Sequence, residues 1–189
     1  MTLHDMYAET RAIIFLDFDG VLCIDKINNS RMLQENLVSP ASQCAEYWSK
    51  LVDANAAANL LEIYVEFAPL FVISSSWATY FDKHQLIEIL QRASLSFVAN
   101  ALHREWRTER ALSSSRRDEV DGWLQRYRTR GEPFLVLDDN NSGWSLAHSP
   151  LALDGHVVLC DERTGFTEVE LEAARRALIR QLWFARHVL

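Results

Sequence analysis

Cysteine is scarce. Cys23, Cys44 and Cys160 are the only three in 189 residues, too few and too scattered for a disulfide framework or a zinc site. Free thiols suit a reducing compartment. No apolar run is long enough to span a bilayer. The opening Met1-Thr2-Leu3-His4-Asp5-Met6 has no leader character, so the expectation is a cytoplasmic protein without a membrane partner. Repeats, low-complexity tracts and linker-like stretches are also missing, which excludes a solenoid and predicts one domain over 1–189. Positive charge is short: the net charge of −7 argues against a generic nucleic-acid binder.

The cations that exist are bunched. Residues 101–130 hold eight arginines (Arg104, Arg107, Arg110, Arg116, Arg117, Arg126, Arg128, Arg130) against five acids, so this window is +3 and the remainder −10. Such a window reads either as a solvated, ion-paired face or as a cationic rim beside an anion site.

Hydrophobic content of 49% with 24% charged residues is ordinary for a globular domain. Five short runs rich in Val, Ile, Leu and Phe, at 12–17, 70–75, 95–99, 133–138 and 156–160, read as strands buried on both faces. Helical spacing separates most of them. It predicts helices over 54–67 after Asp53, over 82–92 after Asp82, over 117–129 with Gly131 as the stop, and from Thr167 onward through a capping box. Strand–helix alternation predicts an α/β fold: a doubly wound, mainly parallel, Rossmann-like sheet of about five strands flanked by helices. Residues 24–50 break the alternation. Ser39-Pro40 reads as a helix start, and Ala45, Trp48 and Leu51 can form an apolar edge. The segment follows the first strand directly, so it reads as a small flap or cap insertion, either gating the strand end or a surface insertion without a role.

In such sheets ligands bind beyond the carboxyl ends of the strands, and the chemistry-bearing residues fall there. The run Ile13-Ile14-Phe15-Leu16 ends in Asp17 and Asp19, which alternation places on one side of the chain. Phe71-Val72-Ile73 ends in Ser74-Ser75-Ser76, which either cap the next helix or bind phosphate. Phe134-Leu135-Val136-Leu137 ends in Asp138-Asp139, and Arg116 or Arg117 opens the helix before that strand. Buried carboxylates need a cation between them, and Mg2+ suits oxygen ligands. The hydroxyl and the arginine suit a phosphate, and a spare carboxylate can attack it to form an acyl phosphate.

Asp17-Phe18-Asp19-Gly20-Val21, the serine-bearing strand end and Asp138-Asp139 together resemble the haloacid dehalogenase (HAD) superfamily of aspartate-nucleophile phosphohydrolases. The resemblance covers nearly the whole chain and implies a HAD-like fold. It implies Asp17 as nucleophile and metal ligand, and Asp19 as general acid/base with its carbonyl on the metal. It also implies Ser75 (or Ser74) as the phosphate-binding hydroxyl, Asp139 as a direct Mg2+ ligand and Asp138 in support. The family's usual third-motif lysine is missing, since the only lysines are Lys26, Lys50 and Lys83. The resemblance therefore points to Arg116, or Arg117 in its place. Ile73-Ser74-Ser75-Ser76-Trp77, Trp106-Arg107-Thr108, Arg116–Leu124 and the tail Asp161–Thr167 further resemble the small-capped HAD domains of Swiss army knife RNA-repair proteins.

The resulting expectation is a Mg2+-dependent phosphomonoesterase acting on nucleic-acid phosphate ends or nucleotides. A phosphatase of a small phosphorylated metabolite and a non-catalytic phosphate- or partner-binding HAD-like module are the alternatives. His84, His103, His148 and His156 have no metal-like spacing. Among the tryptophans, Trp77 and Trp144 follow strand-end motifs and are the two expected near a pocket.

Overall fold

The computed structural model describes residues 11–24, 33–34, 45–111 and 113–187. Within them lie β1 (Ile13–Leu16), β2 (Leu70–Ile73), β3 (Leu102–Arg107), β4 (Phe134–Asp139) and β5 (Val157–Cys160). They form one sheet in the order β3-β2-β1-β4-β5, every pairing parallel. The described helices are α1 (Ala45–Ser49), α2 (Ala54–Phe67), α3 (Trp77–Tyr80), α4 (Lys83–Arg92), α5 (Ser96–Asn100), α6 (Arg116–Tyr127), α7 (Pro150–Leu153) and α8 (Glu168–His187).

Strand alternation explains why the central strands are apolar throughout. Ile14, Leu16, Phe71, Ile73, Leu135 and Leu137 face one core, completed by residues of α2, α4, α5 and α8. Ile13, Phe15, Val72, Phe134 and Val136 face a second, covered by Val120 and Trp123 of α6. The Phe15 and Trp123 rings meet edge-on at 5.2 Å, and the Trp123 indole donates to the Glu105 carbonyl (2.9 Å). Burying each large apolar side chain contributes roughly 1.5–3 kcal/mol, so the two cores fix the sheet from both sides.

Caps set the helix starts. Asp53 accepts from the amides of Asn55 and Ala56. Asp82 with Gln85, and Ser115 with Asp118, form capping boxes, and Glu170 reaches back to the Thr167 amide (3.0 Å). Helix α6 ends at Tyr127, before the expected stop at Gly131; Gly131 turns the chain into β4 instead, with φ +80°.

One strand expectation fails. Residues 95–99 are not a strand: 96–100 form α5. The run is apolar but its buried members, Leu95, Val98 and Ala99, follow helical spacing, which so short a segment does not distinguish from a strand. The third strand is β3, Leu-His-Arg-Glu-Trp-Arg, only half-buried along its length. As an edge strand with an irregular register against β2, it lacks the apolar signature of its neighbours.

The segment 24–50, read from the sequence as a flap or cap insertion, is described only in part. Residues 25–32 and 35–44, including Ser39-Pro40, lie outside the described residues. Leu33, Trp48 and Leu51 are buried in the main core, with the Arg92 guanidinium over the Trp48 ring at 5.2 Å.

The chain leaves β1 for β2 and β3 on one side, then returns to β4 and β5 on the other. That reversal opens a crevice between the carboxyl ends of β1 and β4.

Candidate functional site

Asp17 follows β1 directly, and its amide donates to the Leu137 carbonyl (3.0 Å). The same register brings it against Asp138 and Asp139 at the end of β4. The three carboxylates are 2%, 0% and 4% exposed, and one oxygen from each lies within 4.8 Å of the others. Gly20 permits this approach. Its φ is +78°, and a Cβ there would stand 2.8 Å from Asp139 Cβ, so any side chain would meet both strain and a clash.

Ser142 sits where the three acids converge. Its hydroxyl contacts Asp138 Oδ1, Asp139 Oδ2 and, at 3.1 Å, Asp17 Oδ2. A hydroxyl has one proton, so it can satisfy only one of the three. The rest of the negative charge falls to Arg116, whose Nε donates to Asp138 Oδ2 (2.7 Å) and whose Nη2 lies 3.6 Å from Asp17 Oδ1. Its Nη1 is held by Glu119 (3.0 Å). Burial opposes the charge on Arg116, but Asp17, Asp138 and Glu119 outweigh it and raise its pKa. Burial pushes the Asp17 carboxyl up against the opposing pull of Arg116 and the Ser75 hydroxyl. Asp138 is pushed well up by burial and by Asp17. Cys23, at the cleft edge, stays a thiol because burial and the charges of Asp19 and Asp17 raise its pKa well above the ordinary value.

Three buried acids with one buried arginine leave an excess of negative charge facing the cleft. The donors gathered there are oxygens, without imidazole or thiolate in the group. That set fits a hard divalent cation such as Mg2+.

Asp19 is half-buried and turned differently. Its carboxylate accepts from the Trp77 indole N–H (3.1 Å) and the Ser76 hydroxyl (3.3 Å). It is not in the three-carboxylate group, so the metal role expected of it rests on its carbonyl alone. The turn carrying it is tight: Phe18 O accepts the amides of Val21, Leu22 and Cys23, and Phe18 stacks on Trp77 at 4.4 Å. The tail loop braces this turn, with Phe166 N donating to Val21 O (2.9 Å). Gly165 (φ +68°) makes room, since a Cβ there would lie 2.7 Å from that carbonyl.

The expected hydroxyls separate. Ser75 is beside Asp17 and accepts weakly from the Trp77 amide (3.4 Å). Ser74 is fully buried, and its hydroxyl has no hydrogen-bond partner among the described residues. The arginines separate too. Arg116 enters the cluster, whereas Arg117 is not brought to it; its guanidinium lies 3.3 Å from Asp121 along the outer face of α6. The helix period puts consecutive residues on different faces.

Around the acids lies a cleft of about 400 Å3, lined also by Gly20, Ile24, Ser76, Arg110, Asn141 and Glu162. Ser142, Glu119 and Glu162 were given no site role from the sequence, and Arg110 was read only as one of the arginine-rich window. A buried glutamate one turn past Arg116, and a serine in the loop after Asp138-Asp139, were the available signals. Of the two tryptophans expected near a pocket, Trp77 is buried and holds Asp19, and Trp144 is 71% exposed outside the cleft lining.

A protein family described as the HAD domain in Swiss Army Knife RNA repair proteins matches residues 13–171, a span that contains every residue of the cluster. No curated protein and no solved structure matches the chain.

Proposed function

The chain belongs to the family of HAD domains in Swiss Army Knife RNA repair proteins, and on that premise we propose that it is a Mg2+-dependent phosphomonoesterase working through an aspartyl-phosphate, with nucleic-acid phosphate ends or nucleotides as substrates. The observation that carries this is the convergence of Asp17, Asp138 and Asp139 around an edge of Arg116 in an open, polar cleft. Asp17 is the nucleophile: it attacks the phosphorus, and the ester oxygen leaves with a proton from Asp19. Asp19 then takes the proton of the water that hydrolyses the phosphoaspartate. Trp77 and Ser76 hold Asp19 at the cleft wall for both steps.

Asp17, Asp139 and the Asp19 carbonyl would hold the Mg2+, which neutralises the acids and polarises the phosphoryl group. Asp138 supports them by fixing Arg116 and accepting the Asp139 amide (2.9 Å). Ser75 and the Nη2 edge of Arg116 bind the phosphate oxygens. Arginine and lysine are not equivalent in that position, because two other edges of the guanidinium are already engaged by carboxylates.

The test is phosphate release with Mg2+ from p-nitrophenyl phosphate, nucleotides and 3′- or 5′-phosphorylated oligonucleotides, by wild type and Asp17→Asn. Turnover that falls by at least a thousandfold in the variant is expected for loss of a nucleophile. Turnover unchanged by Asp17→Asn would discard the mechanism.

A further inference from the structure

We infer that Arg110 forms a second phosphate subsite at the mouth of the cleft, so that the favoured substrate carries another phosphate beside the one removed. The inference rests on the phosphatase reading above and adds the part of the substrate that reading leaves open.

The cleft contains two arginines with different freedom. Arg116 is 8% exposed and clamped on two edges, by Asp138 (2.7 Å) and Glu119 (3.0 Å). Only its third edge faces Asp17, so it serves the phosphate undergoing attack and cannot reach outward. Arg110 lines the same cleft with its side chain 55% exposed. Its ion pair is with Glu119 Oε1 at 3.8 Å, beyond a proper hydrogen bond. Among the described residues this guanidinium has no closer partner, which leaves donors for a ligand.

Glu119 sets the offset between the two cations. Its side chain is 4% exposed; one oxygen holds the inner arginine and the other faces the outer one. A single buried carboxylate thus stands between one guanidinium in the depth, 3.0 Å from one oxygen, and one at the rim, 3.8 Å from the other. Adjacent phosphates joined through one sugar suit such a pair. The neighbouring arginines are engaged elsewhere: Arg107 with the Ala78 carbonyl (2.9 Å), Arg117 with Asp121 and Arg126 with Glu109. An oligonucleotide end and a nucleoside bisphosphate both offer the required chemistry.

The experiment compares kcat/KM, with Mg2+, for p-nitrophenyl phosphate, a nucleoside 3′,5′-bisphosphate and a terminally phosphorylated oligonucleotide, in wild type, Arg110→Ala and Arg110→Lys. Arg110→Ala is expected to lower the preference for the two-phosphate substrates over p-nitrophenyl phosphate roughly tenfold. With the oligonucleotide, the salt dependence of log kcat/KM should become shallower by about 0.7, and Arg110→Lys should recover part of the preference. A loss confined to the bisphosphate assigns small nucleotides, and one confined to the oligonucleotide assigns polymer ends; either supports the subsite. Equal losses on all three substrates would overturn it while leaving the phosphatase standing. A wild type inactive on every substrate would remove the phosphatase reading, and the subsite with it.

Discussion

Ser74 and Ser75 are neighbours, both buried, and chemically unequal. Ser75 stands against Asp17, whereas the Ser74 hydroxyl is enclosed without a partner among the described residues. A buried hydroxyl that makes no hydrogen bond costs stability rather than adding it. Ser74→Ala should therefore leave phosphatase activity near wild type and change stability by at most about 1 kcal/mol, in the stabilising direction. Ser75→Ala should lower kcat/KM by about tenfold or more, because it removes the donor proposed for the phosphate. Steady-state kinetics with thermal melts of both variants check this, and the reverse pattern would reassign the hydroxyl. At this scale, identity was legible in the sequence and orientation was not. Which of two adjacent serines, or of two adjacent arginines, faces the acids depends on where the strand ends and the helix begins to turn.

The strands and helices explain what those residues are held by. Asp17 and Asp138-Asp139 were readable as strand-end acids because β1 and β4 are continuous apolar runs buried on both faces. Edge strand β3 was not readable, since half-burial leaves room for His103, Arg104 and Glu105 in its run. The far end of the sheet offers a test of another kind. His156 leads into β5 with its ring stacked on Phe134 at 4.1 Å and Nδ1 3.2 Å from the Phe134 carbonyl. Burial, with help from Arg128 and Arg180, lowers its pKa below the ordinary 6.5. The folded state thus holds a neutral imidazole where the unfolded chain takes up a proton. Its stabilising contribution is complete above pH 6.5 and is lost as pH falls from there through the lowered folded-state value. Melting temperatures at pH 7.5 and 5.5 should drop more for wild type than for His156→Gln, and equal drops would show that His156 carries no such linkage.

For the molecule as a whole, the acid cluster joins the two halves of the sheet. Asp17 comes from the central strand, and Asp138 and Asp139 from the strand after the chain has reversed direction. Their mutual repulsion weakens the fold across the crevice where β1 meets β4, and a divalent cation held there would relieve it. Mg2+ at a hundredfold excess over its dissociation constant should stabilise the folded state by about 2.7 kcal/mol, visible as a higher melting temperature that EDTA reverses. The rise should be lost in Asp139→Asn; an equal rise in that variant would place the metal elsewhere. The arginine-rich window also resolves at this scale. Arg104, Arg117 and Arg126 sit in ion pairs on the outside, whereas Arg110 and Arg116 turn to the cleft. The window thus divides between outer ion pairs and two arginines at the cleft. Among the described residues no helix is long and apolar enough to cross a membrane.

The sequence by itself determined the parallel α/β sheet and the identity of the acids at its strand ends, because both follow from local rules: apolar period, caps, and polar residues where burial stops. Only the tertiary structure decided which groups meet. Ser142 reaches Asp17 across 125 positions of chain, and Trp77 reaches Asp19 across 58. Glu119 ties one arginine in the depth of the cleft to another at its mouth. Such contacts depend on strand order and on the angle at which a helix crosses the sheet, which packing over the entire core sets and no short stretch of sequence encodes.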